Sequence, residues 1–102
     1  MNDPNFIRID VSGGWLEQLI MEIDRNREFA LWGAESENTS DENRYIYKNM
    51  VERDERVKAK VTKYTDSSGC ARLYRSEYQD ILHILLENSV ARKNDNEVIN
   101  ND

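Results

Sequence analysis

The sequence YRSEYQDILHILLENSV, Tyr74 to Val90, is the most strongly patterned stretch of the chain and the start of the fold prediction. At about 100° per residue, Glu77 lies inside an apolar arc of the expected helix and Asp80 lies at its edge. Acidic side chains beside an apolar seam cost free energy unless they are paired or bind a metal, so both carboxylates need an explanation. The arc consists of Leu73, Tyr74, Ile81, Ile84 and Leu85.

The length and composition indicate one small domain with a thin core. The chain has 102 residues, of which 38% are hydrophobic and 33% are charged. A domain of this size buries only about 60–70% of the surface of its unfolded chain. We therefore expect the protein to pool apolar faces in a homodimer or a higher homo-oligomer.

The formal net charge of −6 argues against direct, non-specific binding of nucleic acid, which requires a basic face. It is compatible with two other functions. Clustered carboxylates can hold a divalent cation, or a small acidic protein can bind and mask a basic partner, for example a nucleic-acid-binding protein.

The sequence features that report on compartment favour the cytoplasm. Cys70 is the single cysteine, so no intrachain disulfide can form, which fits a reducing environment. The N-terminus has neither the basic nor the apolar region of a signal peptide. No apolar run approaches the roughly 20 residues of a membrane span.

Residues 1–14 are expected to form an extended arm. Their apolar residues could make one short strand, but Ser12-Gly13-Gly14 ends it and no partner strand is evident. The arm is therefore expected either to remain a free extended segment or to reach a second subunit. The apolar residues are Phe6, Ile7, Ile9 and Val11.

Two helices are expected in the first two thirds of the chain. The first should run from Trp15 to about Trp32, with Gly33 as the left-handed residue that follows a helix end. The second should run from near Ser40 to about Tyr64. Thr39 and Glu42 form a T-x-x-E capping box at its start.

The third helix is expected from about Cys70 to Arg92, after the turn sequence TDSSG. The polar segment 93–102 lacks periodicity and is expected to be a flexible tail. The predicted fold is therefore all-α, a bundle of three main helices over residues 15–92 with an N-terminal extended arm.

Two acidic pairs are candidate metal ligands. Glu52 and Glu55 lie three residues apart on the second helix, and Glu77 and Asp80 lie three apart on the third. This spacing places both members of a pair on one helix face. If the two faces meet, four carboxylates converge, and hard oxygen ligands of this kind select Mg²⁺, Mn²⁺ or Ca²⁺.

The pattern Glu52-Arg-Asp-Glu55, 21 residues, then Glu77-Tyr-Gln-Asp80 resembles a known signature. It is similar to the E-x-x-E … E-x-x-D motif of the all-α nucleoside triphosphate pyrophosphohydrolases, the MazG-like and dimeric dUTPase superfamily. The upstream segment EIDRNREFALWG resembles the first helix of some phage-type members.

The resemblance implies a helical, usually dimeric or tetrameric fold and a hydrolytic activity, intact or weakened. The reaction would be the cleavage of an NTP or dNTP to the monophosphate and pyrophosphate, with Mg²⁺ or Mn²⁺ as cofactor. By position, Glu52, Glu55, Glu77 and Asp80 would be the metal ligands, and a metal-activated water would be the nucleophile.

Structural explanations stand beside this one. Glu52 and Glu55 lie away from the apolar stripe of the second helix, so they can be a solvated face neutralised by Arg53 and Arg56. The stripe consists of Ile46, Met50, Val57, Val61 and Tyr64. Glu77 and Asp80 can be a boundary pair bridged to arginines of either helix. The competing functional class is the small acidic interaction protein.

Overall fold

The computed structural model describes residues 5–100, and the side chains of that range through residue 92. The predicted bundle of three main helices is confirmed, with a small antiparallel sheet added to it. The elements are β1 (Phe6–Asp10), α1 (Trp15–Glu35), α2 (Asp41–Lys63), β2 (Cys70–Tyr74) and α3 (Arg75–Asn100).

The N-terminal segment pairs within the chain, which corrects the prediction of an arm without a partner strand. β1 and β2 are antiparallel and in register from Phe6 opposite Tyr74 to Asp10 opposite Cys70. The prediction that the third helix starts near Cys70 is therefore wrong. Leu73 faces the core from a strand rather than from a helix, and α3 begins only at Arg75.

α1 continues past its predicted end. Gly33 is a buried residue inside the helix, and the Ser36 N–H donates to the Trp32 carbonyl at the helix end. A Cβ on Gly33 would lie 2.7 Å from the ring of Tyr47. The glycine therefore permits close approach of α1 and α2, and its predicted role as a left-handed residue after the helix is wrong.

α2 starts close to the predicted position but with a different cap. The Ser40 hydroxyl accepts a hydrogen bond from the Asn43 N–H at 3.2 Å, so Ser40 and not Thr39 is the N-cap. At the other end, Asp66 and Gly69 shape the turn into β2, where Gly69 has a φ of 87° and the Val11 N–H donates to its carbonyl.

The core lies where the inner face of the sheet meets the three helices. α1 and α2 make the most extensive helix contact, and α3 contacts both helices and both strands. Val57 and Val61 of α2, and Ile81 and Ile84 of α3, lie at the centre of this core, as their helical spacing predicts. Other members of the two predicted apolar stripes are exposed instead: Ile46, Tyr64, Tyr74 and Leu85. Its buried members are Val11, Ile23, Val57, Val61, Ala71, Leu73, Ile81 and Ile84.

The backbone of α3 is helical through Asn100. The tail predicted over 93–102 lies outside the residues whose side chains are described. Its flexibility stays a prediction.

Candidate functional site

The four carboxylates predicted to bind a metal lie in different surroundings. Glu55 points from α2 toward α1, where its Oε1 accepts hydrogen bonds from Arg27 Nη2 at 2.7 Å and Nε at 3.0 Å. Glu52 is exposed on the same helix. The pair on α2 is thus partly neutralised by a basic residue, but from α1 rather than from the neighbouring Arg53 or Arg56.

Glu77 performs a local structural role at the start of α3. Its Oε1 accepts a hydrogen bond from the Tyr74 N–H at 3.2 Å, so the carboxylate at the third helical position caps the residue before the helix. The side chain is only 7% exposed, and Oε2 is buried without a hydrogen-bond partner among the described residues. Glu77 lines a groove beside the sheet, whereas Glu55 lines one between α1 and α2.

Asp80 forms a wider ion pair with α2. Its Oδ2 lies 3.8 Å from Arg56 Nη2, and both side chains are partly exposed. This contact matches the structural explanation of the second acidic pair as a boundary pair bridged to an arginine. Exposed pairs at such distances contribute little to stability.

In residues 5–92, where side chains are described, no three Asp, Glu, His or Cys side chains are arranged to hold a metal ion. The chain's own fold therefore does not bring Glu52, Glu55, Glu77 and Asp80 to one point. Metal binding by these four residues stays a prediction, and the arrangement of the described side chains does not support it.

An acidic residue outside the two predicted pairs is the most deeply buried one described. The Asp54 side chain on α2 is 0% exposed, and burial raises the pKa of its carboxyl from 3.8 to about 6, although Arg53 opposes the shift. Arg53 Nε donates to its Oδ1 at 3.0 Å, while Oδ2 has no partner among the described residues. Glu87 and Asp80 raise its pKa further by like-charge repulsion.

Arg53 joins Asp54 to a polar cluster between the three helices. Its Nη2 donates to Glu87 Oε1 at 2.8 Å and to Asn26 Oδ1 at 3.1 Å. The amide of Asn26 in turn donates to Asn88 Oδ1 at 3.2 Å. Buried polar groups joined in this way fix the relative positions of three helices.

The spacing of Asp54 in the sequence indicates that it faces the core. Asp54 lies three and seven residues before Val57 and Val61, so it shares their core-facing side of α2. Complete burial separates the carboxyl from solutes. The Asp54 carboxyl therefore affects core packing and the pH dependence of stability, and a substrate cannot reach it.

The most distinctive exposed surface is the end of the α1–α2 hairpin, residues 28–47, here called the tip. Large apolar side chains are exposed there beside many acids. The apolar residues are Phe29, Trp32, Tyr45 and Ile46. The acids, all exposed, are Glu28, Glu35, Glu37, Asp41 and Glu42.

The tip contains one basic residue, Arg44, whose side chain is hydrogen-bonded to the backbone of the tip. Its guanidinium donates to the carbonyls of Ala34, Ser36 and Thr39 at 3.2, 3.1 and 3.3 Å. It also contacts Asp41 Oδ1 at 3.2 Å. With five carboxylates against one arginine, the tip carries four of the six net negative charges of the chain.

Comparison with protein-family models, with curated proteins and with solved structures gave no match to this chain. Within residues 5–100, no helix has the length and apolarity that crossing a membrane requires.

Proposed function

We propose that the protein is a small acidic interaction module whose tip binds a basic segment of a partner protein. The observation that carries the proposal is the coincidence of exposed aromatic side chains with most of the net charge at one end of the helical hairpin. Clusters of exposed large apolar residues in soluble domains are typical of interaction sites.

The chemistry of the tip favours arginine and lysine side chains. The Trp32 and Tyr45 rings are more than two thirds exposed and can bind a guanidinium or ammonium group through its cation–π attraction. The surrounding carboxylates can accept its charge-assisted hydrogen bonds. Arg44 is held by three backbone carbonyls and pairs with Asp41, so it leaves the other four acids of the tip to a ligand.

The direct test is affinity capture with the full chain as bait, followed by identification of stoichiometric partners. A basic protein should be retained by the wild type and lost with Trp32→Ala. The matched control is Trp15→Ala, because Trp15 is 66% exposed and Trp32 is 70% exposed, but Trp15 lies outside the tip. Equal capture by both variants would contradict the proposal.

A second test asks whether partner capture depends on the negative charge of the tip. Replacing Glu35, Glu37 and Glu42 by Gln should weaken capture and reduce its salt dependence, since exposed charges are screened within about 10 Å at 0.1 M salt. Capture that is insensitive both to salt and to these substitutions would rule out recognition of a basic partner.

The homo-oligomer expected from the thin core also belongs to this proposal. On α3, an outward stripe of apolar side chains has no charged member, so two copies of an acidic chain can pack it together without burying a charge. Leu86→Glu should convert such a dimer to a monomer in sedimentation equilibrium. The stripe consists of Tyr78, Leu82, Leu85, Leu86 and Val90.

The Mg²⁺-dependent nucleoside triphosphate pyrophosphohydrolase is the competing proposal, supported by the spacing of the two acidic pairs in the sequence. Its test is pyrophosphate release from a panel of NTPs and dNTPs with Mg²⁺ or Mn²⁺. Turnover by the wild type that is lost in Glu77→Gln would favour the hydrolase over the interaction module.

A further inference from the structure

A basic and aromatic surface, here called the sheet-end patch, lies where the C-terminal end of α2 meets the sheet. Lys60 and Lys63 each place Nζ 5.3 Å from the centroid of the Tyr64 ring. The Arg72 guanidinium lies 4.3 Å from the Phe6 centroid, and the Arg72 N–H donates to the Tyr64 carbonyl at 3.2 Å. Because Tyr64 and Arg72 line one groove, the three cations belong to one surface. The patch consists of Phe6, Lys60, Lys63, Tyr64, Arg72 and Tyr74.

The three cations of the patch are unpaired, although the chain has an excess of acids. Most other basic side chains whose positions are described form an ion pair with a carboxylate of the fold. Among the described residues, Lys60, Lys63 and Arg72 have no such partner. Lys63 and Arg72 are exposed, and Lys60 is partly buried. Their charge is therefore available to carboxylates of another molecule.

The patch and the tip lie toward opposite ends of α2 and are complementary in charge. Tyr45 belongs to the tip, whereas Lys60 and Lys63 lie in the last turn of the helix. At 1.5 Å per residue, the backbones of Tyr45 and Lys60 are about 20 Å apart. Five carboxylates and one arginine give the tip a net charge of −4. Because a helix separates the two surfaces, the tip cannot reach the patch of its own chain, but it can reach that of another copy.

We propose that the tip of one copy binds the sheet-end patch of a second copy. This inference rests on the proposed function of the tip and names its basic partner. The exposed Trp32 and Tyr45 rings of one copy face the cations of the other, and the tip carboxylates pair with Lys63 and Arg72. The contact joins two different surfaces. It therefore extends into open chains or rings, unlike the two-fold contact proposed for α3.

Salt determines the range over which the two surfaces act. Two copies with a net charge of −6 repel each other at long range. Charges are screened within about 10 Å at 0.1 M salt, about half of the distance between the tip and the patch, and within about 3 Å at 1 M. Sedimentation velocity of the full chain should therefore show concentration-dependent association at 0.1 M salt that is lost at 1 M. All proteins in this test carry Leu86→Glu, which removes the contact proposed for α3.

Two charge-matched double variants separate the patch from a general effect of net charge. Lys60→Gln with Lys63→Gln should weaken self-association about tenfold, the effect of losing two exposed charge pairs. The control is Arg25→Gln with Lys48→Gln, two exposed cations outside the patch that have no ion pair among the described residues. The control should associate at least as strongly as its parent, and an equal loss in both variants would overturn the proposal.

A mixture of two deficient proteins tests the head-to-tail arrangement. One carries Trp32→Ala, Glu35→Gln and Glu37→Gln at the tip, and the other carries Lys60→Gln and Lys63→Gln at the patch. At a concentration where each alone is monomeric, an equimolar mixture should form a heterodimer and no larger species, because each protein supplies one intact surface. A mixture that stays monomeric would overturn the proposal.

The same proteins distinguish failure of this inference from failure of the proposed function. An arginine-rich peptide is titrated into the full chain in parallel with the sedimentation measurements. Peptide binding at the tip without self-association would overturn the second copy as partner and leave the interaction module intact. Absence of both peptide binding and self-association would contradict the proposed function as well.

Discussion

Substitution of Asp54 by Asn should stabilise the protein at neutral pH. The folded-state pKa of this buried carboxyl is raised from 3.8 to about 6, so ionising it in the folded protein is unfavourable by roughly two pKa units. At 1.36 kcal/mol per unit, the penalty is about 3 kcal/mol. Asn is close in shape to the protonated acid, and Arg53 keeps its bonds to Glu87 after the substitution.

The sign of the pH dependence follows from the direction of the shift. Because the folded state binds this proton more tightly than the unfolded state does, the penalty is fully present above pH 6. It is relieved as the pH falls from 6 toward 4. The difference in free energy of unfolding between Asp54→Asn and the wild type should therefore be largest near pH 7.5 and shrink toward pH 4.

The assay is urea unfolding at several pH values between 4 and 8, followed by far-UV circular dichroism. Circular dichroism is preferable to tryptophan fluorescence because Trp15 and Trp32 are already exposed in the folded state. Glu52→Gln, an exposed change on the same helix, is the control and should leave the difference small at every pH. An Asp54→Asn protein that is less stable than the wild type at pH 7.5 would refute the reasoning.

Three further predictions concern packing and the turns. Gly33→Ala should destabilise the protein by about 1–3 kcal/mol in urea unfolding, because the new Cβ meets the Tyr47 ring at 2.7 Å; a stabilised variant would contradict this. Ile84→Ala should cost about 2–5 kcal/mol, since the side chain is fully buried; a loss under 1 kcal/mol would place it outside the core. The Ser68 hydroxyl and the Cys70 N–H lower the pKa of Asp66 in its turn, so this carboxylate stabilises the fold above pH 4 and loses the effect as pH falls further. Asp66→Asn should therefore be less stable at pH 7 and converge with the wild type below pH 4 in thermal unfolding.

The three helices could be predicted from sequence because their core stripes are local and periodic. Val57 and Val61 on α2, and Ile81 and Ile84 on α3, recur at helical spacing and are buried as expected. The pairing of the strands could not be predicted in the same way, although the apolar residues between Phe6 and Val11 indicated one possible strand. β1 and β2 have five residues each and lie about 60 residues apart, so neither shows its partner locally.

The candidate site shows the same limit. An i, i+3 spacing groups Glu52 with Glu55 on one face of α2, but it does not say which element that face meets. Tertiary packing turns Glu55 to Arg27, while Asp54 between them enters the core. Burial of an acid within a charged run depends on its tertiary surroundings. Here its neighbour Arg53 on the same helix bonds in turn to Asn26 on α1 and Glu87 on α3.

The most direct test of the proposed function is amide chemical-shift mapping on the full ¹⁵N-labelled chain. In separate titrations, the protein receives an arginine-rich peptide, and Mg²⁺ with a nucleoside triphosphate. An interaction module should show saturable shifts with the peptide that are centred on residues 28–47 and lost in Trp32→Ala. The opposite result would contradict the proposal. In that case Mg²⁺ and nucleotide cause shifts centred on Glu52, Glu55, Glu77 and Asp80 and pyrophosphate is released, while the peptide causes no shifts at the tip.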